Sequence, residues 1–183
     1  MEAIRLLALS GSLRKSSYNT AALTALERLA PASIEIEQGG IGDLPIFNPD
    51  REGELIPALQ TLKSALAAAD GLIIASPEYA HGVSGPLKNA LDWLVSGSEF
   101  PYIPIMLINT SPRAFHALEA LREVLNTMSG NVIDDAHVSI QLLGSEFSAD
   151  DIVANEELAS ALRGGLTKFS EQIRVLKLAD QLV

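Results

Sequence analysis

The stretch that decides the fold of this chain reads Leu6-Leu7-Ala8-Leu9-Ser10-Gly11-Ser12-Leu13-Arg14-Lys15-Ser16-Ser17-Tyr18-Asn19-Thr20, an apolar run followed by a hydroxyl-rich loop. The apolar residues 4–9 predict a short strand that is buried on both faces. From residue 20 to residue 30 the apolar residues recur with helical spacing, and Asn19 is well placed to cap this helix. The sequence therefore predicts a strand, a polar loop and a helix in succession.

The loop at residues 10–19 has the chemistry of an anion-binding site. A helix N-terminus offers free backbone N–H groups and the positive end of its dipole, serine hydroxyls add donors, and Arg14 adds a bidentate cation. Neither the P-loop pattern nor the glycine-rich dinucleotide fingerprint is present, so hydroxyl groups would surround a terminal phosphomonoester. On this loop alone two interpretations stay open: a phosphate cradle, or a serine-rich loop with a solvated arginine.

Length and composition narrow the class of protein. The 183 residues, 48% of them hydrophobic and 20% charged, predict a single domain spanning residues 1–183. The sequence contains no apolar run of about 18 residues, so no membrane span is predicted. The first residues lack the cationic segment of a secretory signal. The absence of cysteine excludes disulfides and is compatible with the cytoplasm, the expected location. The formal net charge of −10 argues against binding to nucleic acid.

The rest of the chain alternates between apolar runs and helical patterns. Strands are predicted at residues 4–9, 34–37, 71–75, 103–109 and 132–142, the last interrupted at 134–135, and helices at 20–30, 56–69, 86–94, 115–128 and 154–175. This alternation predicts an α/β fold with a doubly wound five-stranded parallel sheet, helices on both faces, and the second strand near an edge. Ligands of such sheets bind at the carboxyl ends of the strands, which here carry the loops at 10–19, 76–85 and 110–113.

Two segments together resemble a known family. They are Gly11-Ser12-Leu13-Arg14-Lys15-Ser16-Ser17-Tyr18-Asn19 and Pro77-Glu78-Tyr79-Ala80-His81-Gly82-Val83-Ser84-Gly85-Pro86-Leu87-Lys88-Asn89-Ala90-Leu91-Asp92-Trp93. The order G-S-x-R-x-x-S-x-N, then P-E-Y, then L-K-N-A-x-D-W is similar to that of the NADPH-dependent FMN reductase family. This flavodoxin-like group includes quinone, azo dye and chromate reductases. The resemblance covers roughly residues 4–140.

The resemblance implies a flavodoxin-like fold, FMN held without a covalent bond, and hydride transfer from NADPH or NADH to the flavin. By position it implies that residues of the first loop bind the FMN phosphate and that 77–80 lie beside the isoalloxazine ring. With the hydroxyls of the third loop and His81, the candidate cofactor-binding residues are Ser10, Ser12, Arg14, Ser17, Asn19, Thr20, Pro77, Glu78, Tyr79, Ala80, His81, Thr110 and Ser111. No catalytic acid or base and no metal ligand is predicted.

Several residues allow a second interpretation. Ala80 stands where the family often has asparagine, and the third loop is shorter than is usual in the family. His81 either lines the substrate pocket or is a solvated turn residue, and we expect Glu78 to be a structural ion-pair partner. Trp93 belongs to the core or to an interface, and we expect Lys88, Asn89 and Asp92 to be structural. Asp134, Asp135 and His137 fit a solvated bulge better than a metal clamp.

The expected function is that of an FMN-dependent NAD(P)H oxidoreductase, which passes electrons through bound FMN to a small-molecule electron acceptor. A quinone, free flavin, azo compound or metal oxyanion would serve as acceptor, and the sequence does not separate NADPH from NADH. The resemblance implies a homodimer or homotetramer. The alternative from another class is an FMN-binding electron-transfer or sensing module with little NAD(P)H turnover. The short third loop also permits a relative that has lost its flavin.

Overall fold

A parallel sheet forms the centre of the computed structural model, which describes residues 3–111, 113 and 115–180. The strands of this sheet are β1 (Ile4–Ser10), β2 (Ile34–Gly39), β3 (Gly71–Ala75), β6 (Pro104–Asn109), β7 (Asn131–Val132) and β8 (Val138–Ser139). Their order is β2-β1-β3-β6-β7, with β8 also paired to β6, and every pair in the sheet is parallel. This is the strand order of the flavodoxin-like fold. The predicted fold class and the edge position of β2 are confirmed.

Helices cover both faces of the sheet, as predicted. They are α1 (Tyr18–Leu29), α2 (Pro57–Ala67), α3 (Gly85–Leu94), α4 (Phe115–Thr127), α5 (Ala149–Ala154) and α6 (Glu156–Asp180). Successive side chains of a strand point to opposite faces, so Leu6 and Ala8 pack with α1 and α6 while Leu7 and Leu9 pack with α2 and α3. Burial on both faces explains why β3 is apolar throughout.

The predicted fifth strand consists of two short pieces. β7 pairs with the start of β6 at Pro104 and Ile105, and β8 pairs with its end at Ile108 and Asn109. Between them the chain leaves the sheet in a 3-10 turn at Asp134–Ala136. The interruption at the two aspartates is therefore confirmed, but the sheet has six strands rather than five because both pieces share the fifth position.

Two helix boundaries differ from the predictions. Ser17, not Asn19, caps α1, because its side chain accepts a hydrogen bond from the Thr20 N–H while its backbone is extended. The predicted last helix at 154–175 corresponds to α6, which begins at Glu156 because Asn155 has an extended backbone and its Oδ1 accepts a hydrogen bond from the Leu158 N–H. The short helix α5 before it was not predicted, and it begins at a capping box formed by Ser148 and Asp151.

The fold brings the three predicted loops to one edge of the sheet, where β1, β3 and β6 end. Pro112 of the third loop and Ala114 after it lie outside the described residues, as do Met1 and Glu2, which belong to the segment predicted to lack a secretory signal. Within the described ranges, no helix is long and apolar enough to cross a membrane.

Candidate active site

A cavity of about 280 Å³ lies at the carboxyl ends of the central strands. Of the predicted site residues, it is lined by Ser12, Arg14, Ser17, Asn19, Pro77, Glu78, Tyr79, Thr110 and Ser111. It is also lined by five residues that were not predicted: Ser16, Tyr18, Ser76, Arg113 and Leu143. Ser10, Thr20, Ala80 and His81 are not among its lining residues. Three loops that are far apart in sequence thus form one pocket.

Buried polar side chains concentrate around this cavity. Those at this edge of the sheet are Ser12, Ser17, Asn19, Ser84, Asn109 and Thr110. A buried polar group is costly unless it is hydrogen-bonded, so such a concentration is unusual for a region that only packs. This concentration of buried polar side chains indicates a binding site at this edge of the sheet.

Ser10 and Thr20 support the first loop instead of facing the cavity. Their hydroxyl oxygens lie 2.8 Å apart in a hydrogen bond that joins the end of β1 to the first turn of α1. The Ser12 N–H donates to the Ser10 Oγ at 3.3 Å, which folds the loop back over the strand end. These two predicted cofactor-binding residues therefore stabilise the loop through hydrogen bonds.

Asn19 connects the first loop to the third. Its Oδ1 accepts a hydrogen bond of 3.0 Å from the Thr110 hydroxyl, and both side chains are buried. This contact explains why Asn19 does not cap α1: its side chain is directed across the pocket floor while Ser17 takes the capping role. The third loop also has a local turn, in which the Ser111 N–H donates to the Asn109 Oδ1 at 2.9 Å.

Gly11 lets the first and second loops approach each other closely. A Cβ at this position would lie 2.7 Å from the Ser76 Oγ and 3.0 Å from the Ser84 Oγ. The Ser84 hydroxyl donates to the Gly11 carbonyl at 2.6 Å, and the Gly11 N–H donates to the Ala75 carbonyl at 2.8 Å. A side chain at position 11 would therefore require these serine side chains to shift.

The second loop contains a small β-hairpin that its sequence does not predict. Strands β4 (Glu78–Tyr79) and β5 (Gly82–Val83) pair antiparallel, and Ala80 and His81 form the two-residue turn with φ angles of 49° and 60°. Such a turn has the left-handed geometry of type I′, which usually selects Asn-Gly. His81 is an exposed turn residue and does not line the cavity.

The predicted ion pair of Glu78 is not observed among the described residues. Instead, the Glu78 Oε2 accepts a hydrogen bond of 2.9 Å from the Ala117 N–H in the first turn of α4. A carboxylate at this position is stabilised by the free N–H groups and the dipole of the helix. Glu78 thereby joins the hairpin to α4 while it also lines the cavity.

The L-K-N-A-x-D-W segment on α3 is structural, as predicted. Trp93 is 1% exposed, and its Nε1 donates to the Pro45 carbonyl at 2.8 Å, so it belongs to the core. Asn89 donates to the same carbonyl and accepts from the Phe47 N–H, which fixes the loop beside α3. Lys88 and Asp92 form an ion pair one helical turn apart.

The three loops contribute different chemical groups to the cavity. Arg14 and the hydroxyls of the first loop lie at the N-terminus of α1, and Arg113 lies on the third loop. The second loop adds Pro77, Glu78 and Tyr79. The first loop can thus bind an anion, and the second can border a planar group. In the part of the chain that the structure describes, no three His, Cys, Asp or Glu side chains are arranged to hold a metal ion.

Comparison with known proteins agrees with this geometry. The family model of NADPH-dependent FMN reductase matches residues 4–142. An NAD(P)H-dependent FMN reductase of Pseudomonas aeruginosa is 30% identical, over 95% of this chain and 97% of that protein. A quinone reductase of Escherichia coli is 31% identical, over 97% and 99%.

A solved structure is also closely similar. The flavoenzyme NAD(P)H:(acceptor) oxidoreductase of Paracoccus denitrificans superposes with a TM-score of 0.84 at 28% identity, covering 94% of this chain and 98% of that one. The matched region contains all three loops of the cavity, and the matches extend over nearly the whole chain. The chain belongs to the NADPH-dependent FMN reductase family.

Proposed function

We propose that this protein binds FMN in the cavity at the edge of the sheet and uses it to oxidise NAD(P)H and reduce a quinone-type acceptor. Membership of the family gives FMN as the cofactor and NAD(P)H as the donor. The observation that supports the site is the meeting of an anion-binding loop and a proline-led hairpin in one cavity. Bound FMN supplies the redox chemistry, and the protein binds and orients it.

The donors at the α1 end fit a phosphate dianion. Ser12, Ser16 and Ser17 offer hydroxyls or backbone N–H groups, and the first turn of α1 offers N–H groups that have no partner within the helix. The Arg14 side chain is exposed at the same end and contributes the positive charge. These groups provide local positive potential in a protein of net charge −10.

The other two loops fit the remainder of FMN. In our proposal Pro77, Glu78 and Tyr79 form the wall beside the isoalloxazine ring, and Thr110 and Ser111 face the ribityl chain or the ring. We assign no acid–base role to Glu78, because its carboxylate is already hydrogen-bonded to the start of α4. The residues of the cavity thus bind FMN, orient its ring and leave hydride transfer to the nicotinamide and the flavin.

The proposal also covers the oligomeric state of the protein and its location in the cell. Tyr79, which lines the cavity, and Phe115, at the start of α4, are each 52% exposed. Such residues are enriched at interfaces, which supports a homodimer or homotetramer whose subunit boundary lies near the pocket mouth. We also propose a cytoplasmic location, which the absence of cysteine permits. Light scattering on the purified protein tests the oligomeric state.

Binding of FMN and riboflavin to Arg14→Ala tests the proposed site. The variant should lose about 1.5–3 kcal/mol of FMN affinity, the net value of a hydrogen bond to a charged group. Riboflavin, which lacks the phosphate, should bind the variant and the wild type equally. Lys15→Ala removes a neighbouring charge that does not line the cavity and should change FMN affinity much less. Equal losses for FMN and riboflavin in Arg14→Ala would show that the phosphate lies elsewhere.

A further inference from the structure

We infer that His81 and His116 are a positioning pair: their stacked rings hold the β4–β5 hairpin against α4 and so set the wall beside the flavin ring. The inference rests on the proposed function, since it takes the cavity as the FMN site. Neither imidazole lines the cavity. Both act through Glu78 and Tyr79, which belong to the same hairpin and do line it.

The hairpin is not well stabilised by its own sequence. Both turn residues, Ala80 and His81, have positive φ angles, of 49° and 60°. This conformation is unfavourable for residues with a Cβ and is normally left to Gly, Asn or Asp. Each strand of the hairpin has only two residues, and an isolated hairpin of that kind is marginal at best. Contacts outside the hairpin must therefore hold it in place.

Those contacts come from consecutive residues at the start of α4. The rings of His81 and His116 stack with centroids 4.3 Å apart and an angle of 23° between their planes. The centroids of the Phe115 and His116 rings, which belong to adjacent residues, lie 4.0 Å apart. The Ala117 N–H donates to the Glu78 Oε2 at 2.9 Å. The turn and the first strand of the hairpin are thus fixed to one helix end at two separate points.

This arrangement accounts for the unusual turn. A glycine at position 81 would remove the backbone strain, but it would also remove the ring that reaches α4. The hairpin tolerates the strained backbone of its turn because the stacked imidazole rings hold the turn against α4. The Glu78 hydrogen bond holds the start of its first strand. His116 thereby influences the flavin wall without contact to the cavity.

Two substitutions at His116 separate stacking from other roles. His116→Phe keeps an aromatic ring at the site, whereas His116→Ala removes it, and alanine does not weaken the helix because its helix propensity is higher than that of histidine. Amide hydrogen exchange of residues 78–83 in the FMN-free protein measures hairpin docking directly. We expect exchange about 10-fold faster in His116→Ala, corresponding to about 1.4 kcal/mol of local stability, and near wild-type rates in His116→Phe.

Flavin affinity provides the second readout. In His116→Ala, FMN and riboflavin should both bind several-fold more weakly and by the same factor, because the ring end of the site is affected and the phosphate end is not. The FMN-loaded variant should also differ from wild type in the visible circular dichroism of the flavin, and His116→Phe should restore the wild-type signal. The double variant His81→Ala/His116→Ala should bind flavin no more weakly than either single variant, since each substitution removes the same pair of stacked rings.

The outcomes distinguish this inference from the proposed function. Unchanged hairpin exchange in His116→Ala would overturn the positioning pair, whether or not FMN binds. Faster exchange with unchanged affinity for FMN and riboflavin would overturn its role in the flavin wall. Failure of the wild type itself to bind FMN would overturn the proposed function, while the exchange experiment would still test docking of the hairpin.

Discussion

The Thr110 hydroxyl donates a 3.0 Å hydrogen bond to the Oδ1 of Asn19 beneath the cavity. Thr110 directly follows β6 and Asn19 lies in the first turn of α1, so this bond fixes the distance between the first loop and the third loop. Both side chains are buried, at 5% exposure each. A buried acceptor that loses its partner bears the full desolvation penalty, so the bond is expected to matter for stability as well as for the shape of the site.

Thr110→Val removes this bond without a large change in volume. We expect the free energy of unfolding to fall by about 1–3 kcal/mol, because the Asn19 carbonyl would be left buried without its donor. Thr127→Val is the matched control, since the Thr127 hydroxyl donates to the Glu123 carbonyl on an exposed helix surface. It should cost less than about 0.5 kcal/mol. Urea titration measures both, and equal effects would contradict the importance of the buried bond.

Gly11→Ala tests the close approach of the first two loops. The added Cβ would meet the Ser76 and Ser84 hydroxyl oxygens, one of which donates to the Gly11 carbonyl. We expect a loss of about 1–3 kcal/mol in unfolding free energy, as for other overpacked sites, together with weaker FMN binding. Gly40→Ala is the control, because a Cβ there would have no atom within 4 Å. If both variants bind FMN as the wild type does, the loop contact does not shape the site.

Ala80→Gly should stabilise the protein, in contrast to most alanine-to-glycine changes. Relief of the left-handed strain is worth about 1–2 kcal/mol, and the greater entropy of glycine in the unfolded chain offsets about 0.5–1 kcal/mol. Ala32→Gly, at an exposed turn position with no positive φ, should instead destabilise the protein. Thermal unfolding of the two variants should therefore move the Tm in opposite directions. A decrease in both would contradict the strained turn.

His137 should give the stability of the protein a defined pH dependence. Burial lowers the pKa of its imidazole, and the nearby positive charge of Arg122 lowers it further. The folded protein therefore binds this proton less readily than the unfolded chain. His137 contributes stability that is complete above the unfolded pKa of about 6.5 and is lost as the pH falls through the lower folded pKa.

An NMR titration checks the direction of this shift. The His137 ring should titrate below about 6.5, and Arg122→Gln should raise its pKa towards that value. Arg28→Gln, which removes an arginine paired with Asp150 instead, should leave the His137 pKa unchanged. A His137 pKa above the unfolded value would refute the dominance of burial over the hydrogen bond to the Leu107 carbonyl and the attraction of Asp134.

Local patterns were sufficient to predict most of the fold. The fully apolar run at 71–75 corresponds to β3 residue for residue, because a strand buried on both faces admits no polar side chain. The helices between the strands then require parallel pairing, and the loops at the carboxyl ends follow from that topology. The first loop and the P-E-Y segment could be placed at one cavity for the same reason.

The features that differ from the predictions depend on contacts between residues that are distant in sequence. Ser17 and Asn19 are both good capping residues, and only the bond from Thr110 explains why Asn19 does not cap. The Ala80-His81 turn lacks the Asn-Gly signal of a hairpin, so its geometry depends on docking to α4. Leu143 follows the last strand and has no sequence feature that marks it as a pocket residue.

Anaerobic mixing of the FMN-loaded protein with NADPH or NADH tests the central claim most directly. Hydride transfer requires the nicotinamide to come within about 3–3.5 Å of the flavin ring, and an electron-transfer module with little NAD(P)H turnover need not allow this approach. We predict that one or both nicotinamides bleach the visible flavin absorbance within seconds, and that a quinone restores it. Dithionite serves as the control that the flavin can be reduced. Bleaching by dithionite but by neither nicotinamide would contradict the oxidoreductase and favour the electron carrier.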